Sequence, residues 1–206
     1  AALPIQHWTQ PSGAQVFLVE SHSIPMVDVQ IDFDAGGRRD PAAQAGLASM
    51  TAGQASQGVR AVGGLPALDE NALGEAWADL GASFGASAGG DRMSFTLRSL
   101  TDPALLPRAV QLAARQLGEP AFEATIWERD RQRVSAPLKK ANTRPGTVAG
   151  RTFSQAVYGS HPYGFQTTPE SLARISVADM QALYARSILP CRAKVSVVGA
   201  VGRDQA

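Results

Sequence analysis

Alternating apolar and polar residues at positions 27–33 most constrain what this chain can fold into. Because successive side chains of a β-strand point to opposite faces of a sheet, the stretch VDVQIDF predicts a strand with one buried and one wet face. The preceding run QVFLVE, at 15–20, predicts a second strand. The alternating apolar positions are Val27, Val29, Ile31 and Phe33.

Helical signals and further strand signals follow in turn. Pro41 is predicted to be the first residue of an Ala-rich helix, and a second helix is predicted to start at Asp69 and stop at Gly81. A hairpin through Gly89 and Gly90 follows, with Met93, Phe95 and Leu97 alternating on its second strand. The remaining predicted elements are a helix over 102–117, a charged helix over 122–141 that Pro137 interrupts, a helix around 148–157, a helix capped by Ser176 and Asp179, and a strand within 193–199.

This order of elements predicts the fold class. Two strands, helices, a hairpin, several helices and a last strand indicate an α+β fold, with a mixed, largely antiparallel sheet and helices packed on one face. A length of 206 residues suits one domain, so we expect a single domain over 1–206.

Composition and charge exclude several classes of function. Lys and Arg number 19 against 18 Asp and Glu, a net charge of +1 without a basic cluster, so neither nucleic acid nor an anionic membrane is an expected partner. No apolar run approaches the roughly 18 residues of a membrane span. The single cysteine, Cys191, excludes an internal disulfide and is expected to be a small core residue. The Ala-Ala start is typical of a processed signal peptide, so we expect a periplasmic or otherwise exported protein.

The residues alone predict no catalytic constellation. The three histidines, His7, His22 and His161, are isolated, so none forms the pair four residues apart that would place two zinc ligands on one helical face. Each is expected at the surface or in a loop. The stretch GASAGG contains the letters Gly-x-Ser-x-Gly, but it lies between two predicted strands and does not lead into a helix, so we expect a hairpin there and neither a serine nucleophile elbow nor a phosphate-binding loop.

Five stretches in order resemble the first half of the pitrilysin/insulinase-type metallopeptidases, the inverzincins. Relatives of that family include mitochondrial processing peptidase and the core subunits of the respiratory bc1 complex. The resemblance runs almost end to end. The matching stretches are SGAQVFLVESHSIPMVDVQIDFDAGGRRDP, GLASMTAGQASQGV, LGASFGASAGGDRMSFTLRSL, PAFEATIWERDRQRV and YGSHPYGFQTTPESLARISVADMQALYARSILPCRAKVSVVG.

The resemblance implies that the zinc site is lost. Active members carry His-x-x-Glu-His on the first helix, and here Ser49 and Gly53 stand at the two ligand positions while Ala52 stands at the general base. The remaining ligand is a Glu in the charged helix, where the resemblance places Ala136 and Pro137. We therefore expect neither a metal nor a cofactor in this chain.

The resemblance also implies a role beside an active enzyme. We expect a non-catalytic subunit that completes the peptide-binding chamber or stabilises a zinc-bearing homologous partner, and a peptide substrate is a further candidate partner. The family's second half is absent from this sequence and would be another partner. Two alternatives stay open, namely a peptidase whose metal site is rebuilt from Glu128 and His161, and a structural scaffold like a core subunit.

Overall fold

A computed structural model describes residues 4–206 of the chain. Six strands form one sheet in the order β1-β2-β8-β3-β7-β6, and β4 and β5 form a separate two-stranded ribbon. The strands of the described part of the chain are β1 (Gln6–Thr9), β2 (Gln15–Glu20), β3 (Met26–Phe33), β4 (Gly58–Val59), β5 (Leu68–Asp69), β6 (Ser83–Ala88), β7 (Met93–Leu100) and β8 (Lys194–Gly199).

The α-helices lie mainly in two blocks along the chain, one before the β6–β7 hairpin and one between β7 and β8. The predicted helix start at Asp69 and the predicted cap at Ser176 are confirmed, because each side chain accepts a hydrogen bond from the backbone N–H three residues on. Over residues 4–206 the α-helices are α1 (Leu47–Gln54), α2 (Glu70–Asp79), α3 (Leu106–Gly118), α4 (Ala124–Ala141), α5 (Pro145–Tyr158), α6 (Pro169–Ala173) and α7 (Val177–Ser187).

The sheet is mixed and largely antiparallel, as predicted. Only the β2–β8 pair is parallel within the described six-stranded sheet. The last strand, β8, lies between β2 and β3, so the first two long strands are not neighbours. The α+β class inferred from the order of elements is therefore confirmed.

One face of the sheet is buried under helices and the other is polar. On the helical face, Phe33, Met93 and Phe95 join one core cluster with residues of α1, α4 and α7. On the open face, Asp28 lies directly opposite Arg98 and accepts from its Nε at 2.7 Å. The alternation that predicted strands β3 and β7 thus separates a packed face from a solvated one.

Four sequence expectations need correction. Pro137 does not interrupt the charged helix, because α4 runs through it to Ala141. Proline removes only its own N–H bond to the carbonyl of Arg133, and both residues are exposed, so water can solvate the freed carbonyl.

Pro41 does not begin α1, since a 3-10 turn intervenes and α1 starts at Leu47. The helix predicted from 102 begins four residues later, at Leu106.

The fourth correction concerns Cys191, which is exposed and not a core residue. It lies in the 3-10 turn Pro190–Arg192 that enters β8, whereas its neighbour Ala193 is buried. The small buried side chain expected at the entrance to the last strand is therefore the alanine.

Candidate functional site

Helix α1, which carries the predicted site positions, is held at its first turn by a buried carboxylate. Asp40 is 7% exposed, and its two oxygens accept from the backbone N–H groups of Gly46 and Ala48, each at 3.0 Å. Gly46 has a φ of 102°, and a Cβ there would lie 2.8 Å from the Cγ2 of Thr167. The start of α1 therefore depends on an acid before it and a glycine at its cap.

Burial raises the pKa of the Asp40 carboxyl to about 6, although the backbone N–H groups and the charge of Arg186 favour its ionised form. An ordinary Asp in the unfolded chain titrates near pH 3.9. Between those two values the folded state binds more protons than the unfolded state, so the free energy of unfolding falls as the pH rises. We expect urea denaturation to show this decline from about pH 4 to pH 6, and a flatter profile for Asp40→Asn. Identical slopes in the two proteins would contradict the assignment.

The three α1 positions that the family resemblance singled out lie at i, i+3 and i+4 on one side of the helix. Ser49 is exposed, and its Oγ donates to the carbonyl of Ala88 at 3.4 Å. Ala52 is completely buried in the core. Gly53 is exposed, and a Cβ added there would meet nothing within 4 Å. Two of the three positions thus carry no side-chain donor or acceptor atom at all.

The family resemblance also singled out two positions in α4, Ala136 and Pro137. Both residues are exposed, and Ala136 lines a cleft of about 420 Å³ between α4 and α6, together with Ser135 and Glu170. Neither residue offers a group that could bind a metal.

The acid of α4 that contacts α1 is Asp130, which the sequence analysis did not single out. Its Oδ2 accepts from the Nε2 of Gln54 at 2.8 Å, and both side chains are 4% exposed. Its Oδ1 accepts from the Nε of Arg129 at 3.0 Å, and Arg129 also pairs with Glu70 of α2 at 2.9 Å. Helical spacing was the available signal, because Asp130 follows the apolar Trp127 by three residues and so shares its buried face.

The residues of the rebuilt-site alternative are engaged in other interactions. Glu128 is exposed and accepts from Arg131 and Gln132, and the Arg131 hydrogen bond keeps the pKa of that carboxyl below its usual value. His161 is also exposed, and its Nδ1 accepts from the backbone N–H of Tyr163 at 3.2 Å. Within residues 4–206 no group of three His, Cys, Asp or Glu side chains is close enough to hold a metal ion. The residues at the family positions therefore do not fit a zinc ion, which needs at least three such ligands.

A cleft of about 460 Å³ opens beside Ser49. Its rim is cross-linked by Tyr163, whose hydroxyl donates to Asp91 at 2.5 Å, and by Arg38, whose Nε lies 3.4 Å from the same carboxylate. The hydrogen bond to Asp91 raises the pKa of the Tyr163 phenol. The cleft begins where strand β6 ends, so a chain lying along β6 would run into it.

Strand β6 is an edge of the sheet with outward backbone groups. The turn that closes the hairpin has the N–H of Gly89 donating to the carbonyl of Arg92 at 2.9 Å. Since the bonding of an antiparallel pair alternates along the strands, the N–H and C=O groups of Phe84, Ala86 and Ala88 point away from β7. An extended peptide can add to such an edge through main-chain hydrogen bonds.

Comparison with known proteins places this geometry in context. The family model described as Insulinase (Peptidase family M16) matches residues 15–169. A solved peptidase M16 inactive domain from Pseudomonas fluorescens is 29% identical, with a TM-score of 0.90 over 98% of this chain and 48% of that chain. No curated protein matches the chain.

Two further solved structures share the fold at lower identity. Pitrilysin is 24% identical, with a TM-score of 0.74 over 98% of this chain and 22% of its own. The periplasmic protease PqqL from Escherichia coli is 15% identical, with a TM-score of 0.80 over 100% of this chain and 23% of its own. The chain therefore spans about half the length of the Pseudomonas fluorescens protein and less than a quarter of the other two. None of the helices in the described part of the chain is long and apolar enough to cross a membrane.

Proposed function

This chain belongs to the insulinase family of peptidases, family M16, and we propose that within it the chain is a non-catalytic unit that completes the peptide-binding chamber of a zinc-bearing partner. The observation that carries the proposal is the chemistry of α1 at the family's metal positions. Gly53 has no side chain, Ala52 has only a buried methyl group, and the hydroxyl of Ser49 donates to a backbone carbonyl. Loss of a general base alone costs roughly 10²–10⁴ in rate.

The Pseudomonas fluorescens relative supports the same proposal. Its description names an inactive domain, and at 29% identity this chain matches 48% of it. That protein therefore holds about as much chain again beside the matched unit. We propose that this unit likewise works next to a second M16-type half and next to a partner that carries the zinc.

Edge strand β6 is the part of the unit that we propose contacts peptide. Its outward N–H and C=O groups at Phe84 and Ala86 would pair with an extended peptide, and the cleft beside Ser49 would receive the residues that follow. Pairing through the main chain tolerates many sequences, which suits a chamber wall that holds peptide without cutting it.

The test is to measure zinc content and peptidase activity for the chain alone and mixed with an M16 homologue that carries His-x-x-Glu-His. We expect far less than one zinc ion per isolated chain, no cleavage of a peptide that the homologue cuts, and faster cleavage by the homologue when the chain is added. Stoichiometric zinc in the isolated chain would overturn the proposal. Zinc-free chain with no effect on any active homologue would favour the structural scaffold.

A paired variant tests the role of the edge. Ala86→Pro removes an outward N–H without removing a bond of the β6–β7 ladder, so the fold is expected to persist. Ala86→Ser keeps the N–H and is the matched control. We expect the proline variant to lose the stimulation of peptide cleavage and the serine variant to retain it. Equal stimulation by both variants would exclude peptide pairing at this edge.

A further inference from the structure

A cleft lined mainly by arginine opens where β3 ends and β8 begins. Its volume is about 680 Å³, and three of its five lining residues are arginines. Two of the five follow β3 in the chain, two end α7, and one lies in the 3-10 turn before β8. This surface, the arginine cleft, is formed by Asp34, Arg39, Arg186, Ser187 and Arg192.

The arginines of this cleft outnumber the acid that could neutralise them. Three guanidinium groups against one carboxylate leave the lining with a net charge of +2. Asp34 is already engaged, because it accepts from the Nε of Arg39 at 3.1 Å and from the Nη2 of Arg38 at 2.7 Å. Among the residues that the structure describes, Arg186 and Arg192 form no ion pair. The Nη1 of Arg192 donates to the main-chain carbonyl of Arg186 at 3.1 Å, which holds the two residues together.

Asp40 does not neutralise the cleft either. The charge of Arg186 favours the ionised form of Asp40, but its two carboxyl oxygens accept from the main-chain N–H groups of Gly46 and Ala48. Asp40 is 7% exposed, and it lines the cleft beside Ser49 rather than the arginine cleft. The guanidinium of Arg186 is therefore available to a ligand.

The donor groups of the arginine cleft suit carboxylates. A guanidinium presents its N–H groups in a planar fork that matches the two oxygens of a carboxylate. Ser187, which is 6% exposed, adds a hydroxyl that has no hydrogen-bond partner within residues 4–206. A volume of about 680 Å³ exceeds what one small anion would fill and lies in the range of sites for larger organic ligands. The cleft therefore suits a larger molecule that carries acidic groups.

The arginine cleft adjoins the cleft beside Ser49. Arg38 lies between them, because its guanidinium contacts Asp34 of the arginine cleft at 2.7 Å and Asp91 of the other cleft at 3.4 Å. A single side chain thus joins the walls of the two clefts. A peptide that pairs with β6 and continues past the cleft beside Ser49 would meet the arginine cleft next.

We propose that the arginine cleft binds acidic side chains of the peptide that pairs with β6, so that the unit selects peptides with an acidic end. This inference rests on the proposed function, since it takes the peptide at β6 as given and adds a charge preference. Main-chain pairing at the edge holds many sequences. The arginine cleft then distinguishes among them by charge.

Fluorescence anisotropy with labelled peptides and the isolated chain tests the preference. The peptides share one neutral middle segment and carry two Asp at the N-terminal end, two Asp at the C-terminal end, or Asn at both. We expect one of the two acidic peptides to bind at least about tenfold more tightly than the neutral one, because hydrogen bonds between charged groups are worth that much. Since salt screens exposed charges, this difference is expected to shrink at high ionic strength.

A double variant locates the preference. Arg186→Gln with Arg192→Gln removes the two unpaired charges, and we expect it to bind the acidic and the neutral peptides equally. The matched control is Arg108→Gln, which makes the same change at an exposed arginine of α3 and is expected to keep the preference. Both residues of the double variant are exposed, so the fold is expected to persist, which circular dichroism checks. The comparison of peptides on the wild-type chain needs no variant.

The outcomes separate this inference from the proposed function. Equal binding of acidic and neutral peptides by the wild-type chain would overturn the inference and leave pairing at β6 intact. A preference that survives in the double variant would place the acid contact elsewhere and would also overturn it. Ala86→Pro is expected to weaken binding of every peptide, whereas the arginine variant weakens only that of the acidic one. If no peptide binds the wild-type chain, the proposed peptide edge fails, and the inference fails with it.

Discussion

Replacement of Phe95 by alanine is expected to lower the free energy of unfolding by about 3–5 kcal/mol. Phe95 lies in β7, is 1% exposed, and is the aromatic residue on which the main core converges. Its ring lies edge-on to the rings of Phe33 and Tyr184, with centroid separations of 5.9 and 6.3 Å, and it stacks on the ring of Phe84 with a centroid separation of 6.0 Å. The substitution removes these contacts and leaves a cavity between the sheet and its helices.

Chemical denaturation monitored by circular dichroism measures this loss. The matched control is Thr96→Ala, the next residue of β7, which points to the open face and is exposed. We expect the control to change the free energy of unfolding by less than about 0.5 kcal/mol. A loss below about 1 kcal/mol for Phe95→Ala would mean that the helices do not pack on this face as described.

Restoration of the general base is expected to damage the fold before it can help catalysis. Ala52 is completely buried, so Ala52→Glu forces four more heavy atoms, a methylene carbon and a carboxylate, into a filled core. Overpacking and the burial of an unpaired acid together are expected to cost roughly 2–4 kcal/mol. A ligand can be restored without such a cost at Gly53, the second of the two family ligand positions on α1.

Gly53→His is the matched comparison on the same helix. Space around the Cα of Gly53 is open, and histidine favours a helix more than glycine does, so we expect the stability to stay within about 0.5 kcal/mol of the wild type or to rise. Thermal unfolding of the two variants side by side measures the difference. A stable Ala52→Glu protein would show that the core around α1 can accommodate a glutamate side chain. Core packing would then not be what prevents the return of a general base at this position.

Local patterns predicted most of the sheet and the starts of α2 and α7. Alternation over 27–33 and 93–97 identified β3 and β7 because each has one packed face and one wet face. The Ser176 and Asp179 pair identified the start of α7 because a capping box is made within four residues. By contrast, β1 has only four residues and alternates between half-buried and exposed side chains, so its pattern is weak.

The site was harder to predict because it depends on contacts between distant elements. The family resemblance directed attention to Ser49, Ala52 and Gly53, and the structure finds them grouped on one side of α1. Asp130 was missed because its partner, Gln54, lies 76 positions away along the chain; the spacing from Trp127 places Asp130 on the buried face of α4 but does not show which group it contacts. The pattern also did not predict that Thr147, Arg151 and Ser154 form the half-buried side of α5, since spacing shows that a helix has two faces and not which one is covered.

The position of β8 has a consequence for biosynthesis. Strands β2 and β3 each have one neighbour made before β8, namely β1 and β7, but they are joined to each other only when residues 194–199 enter the gap between them. Until then, the six-stranded sheet exists as two separate pieces, β1-β2 and β3-β7-β6, with unpaired main-chain groups on both sides of the gap. Such long-range pairing slows folding and prolongs the exposure of unpaired strand edges, which are prone to aggregation. A chain truncated before residue 194 therefore cannot join the two pieces of its sheet, and it keeps two unpaired strand edges.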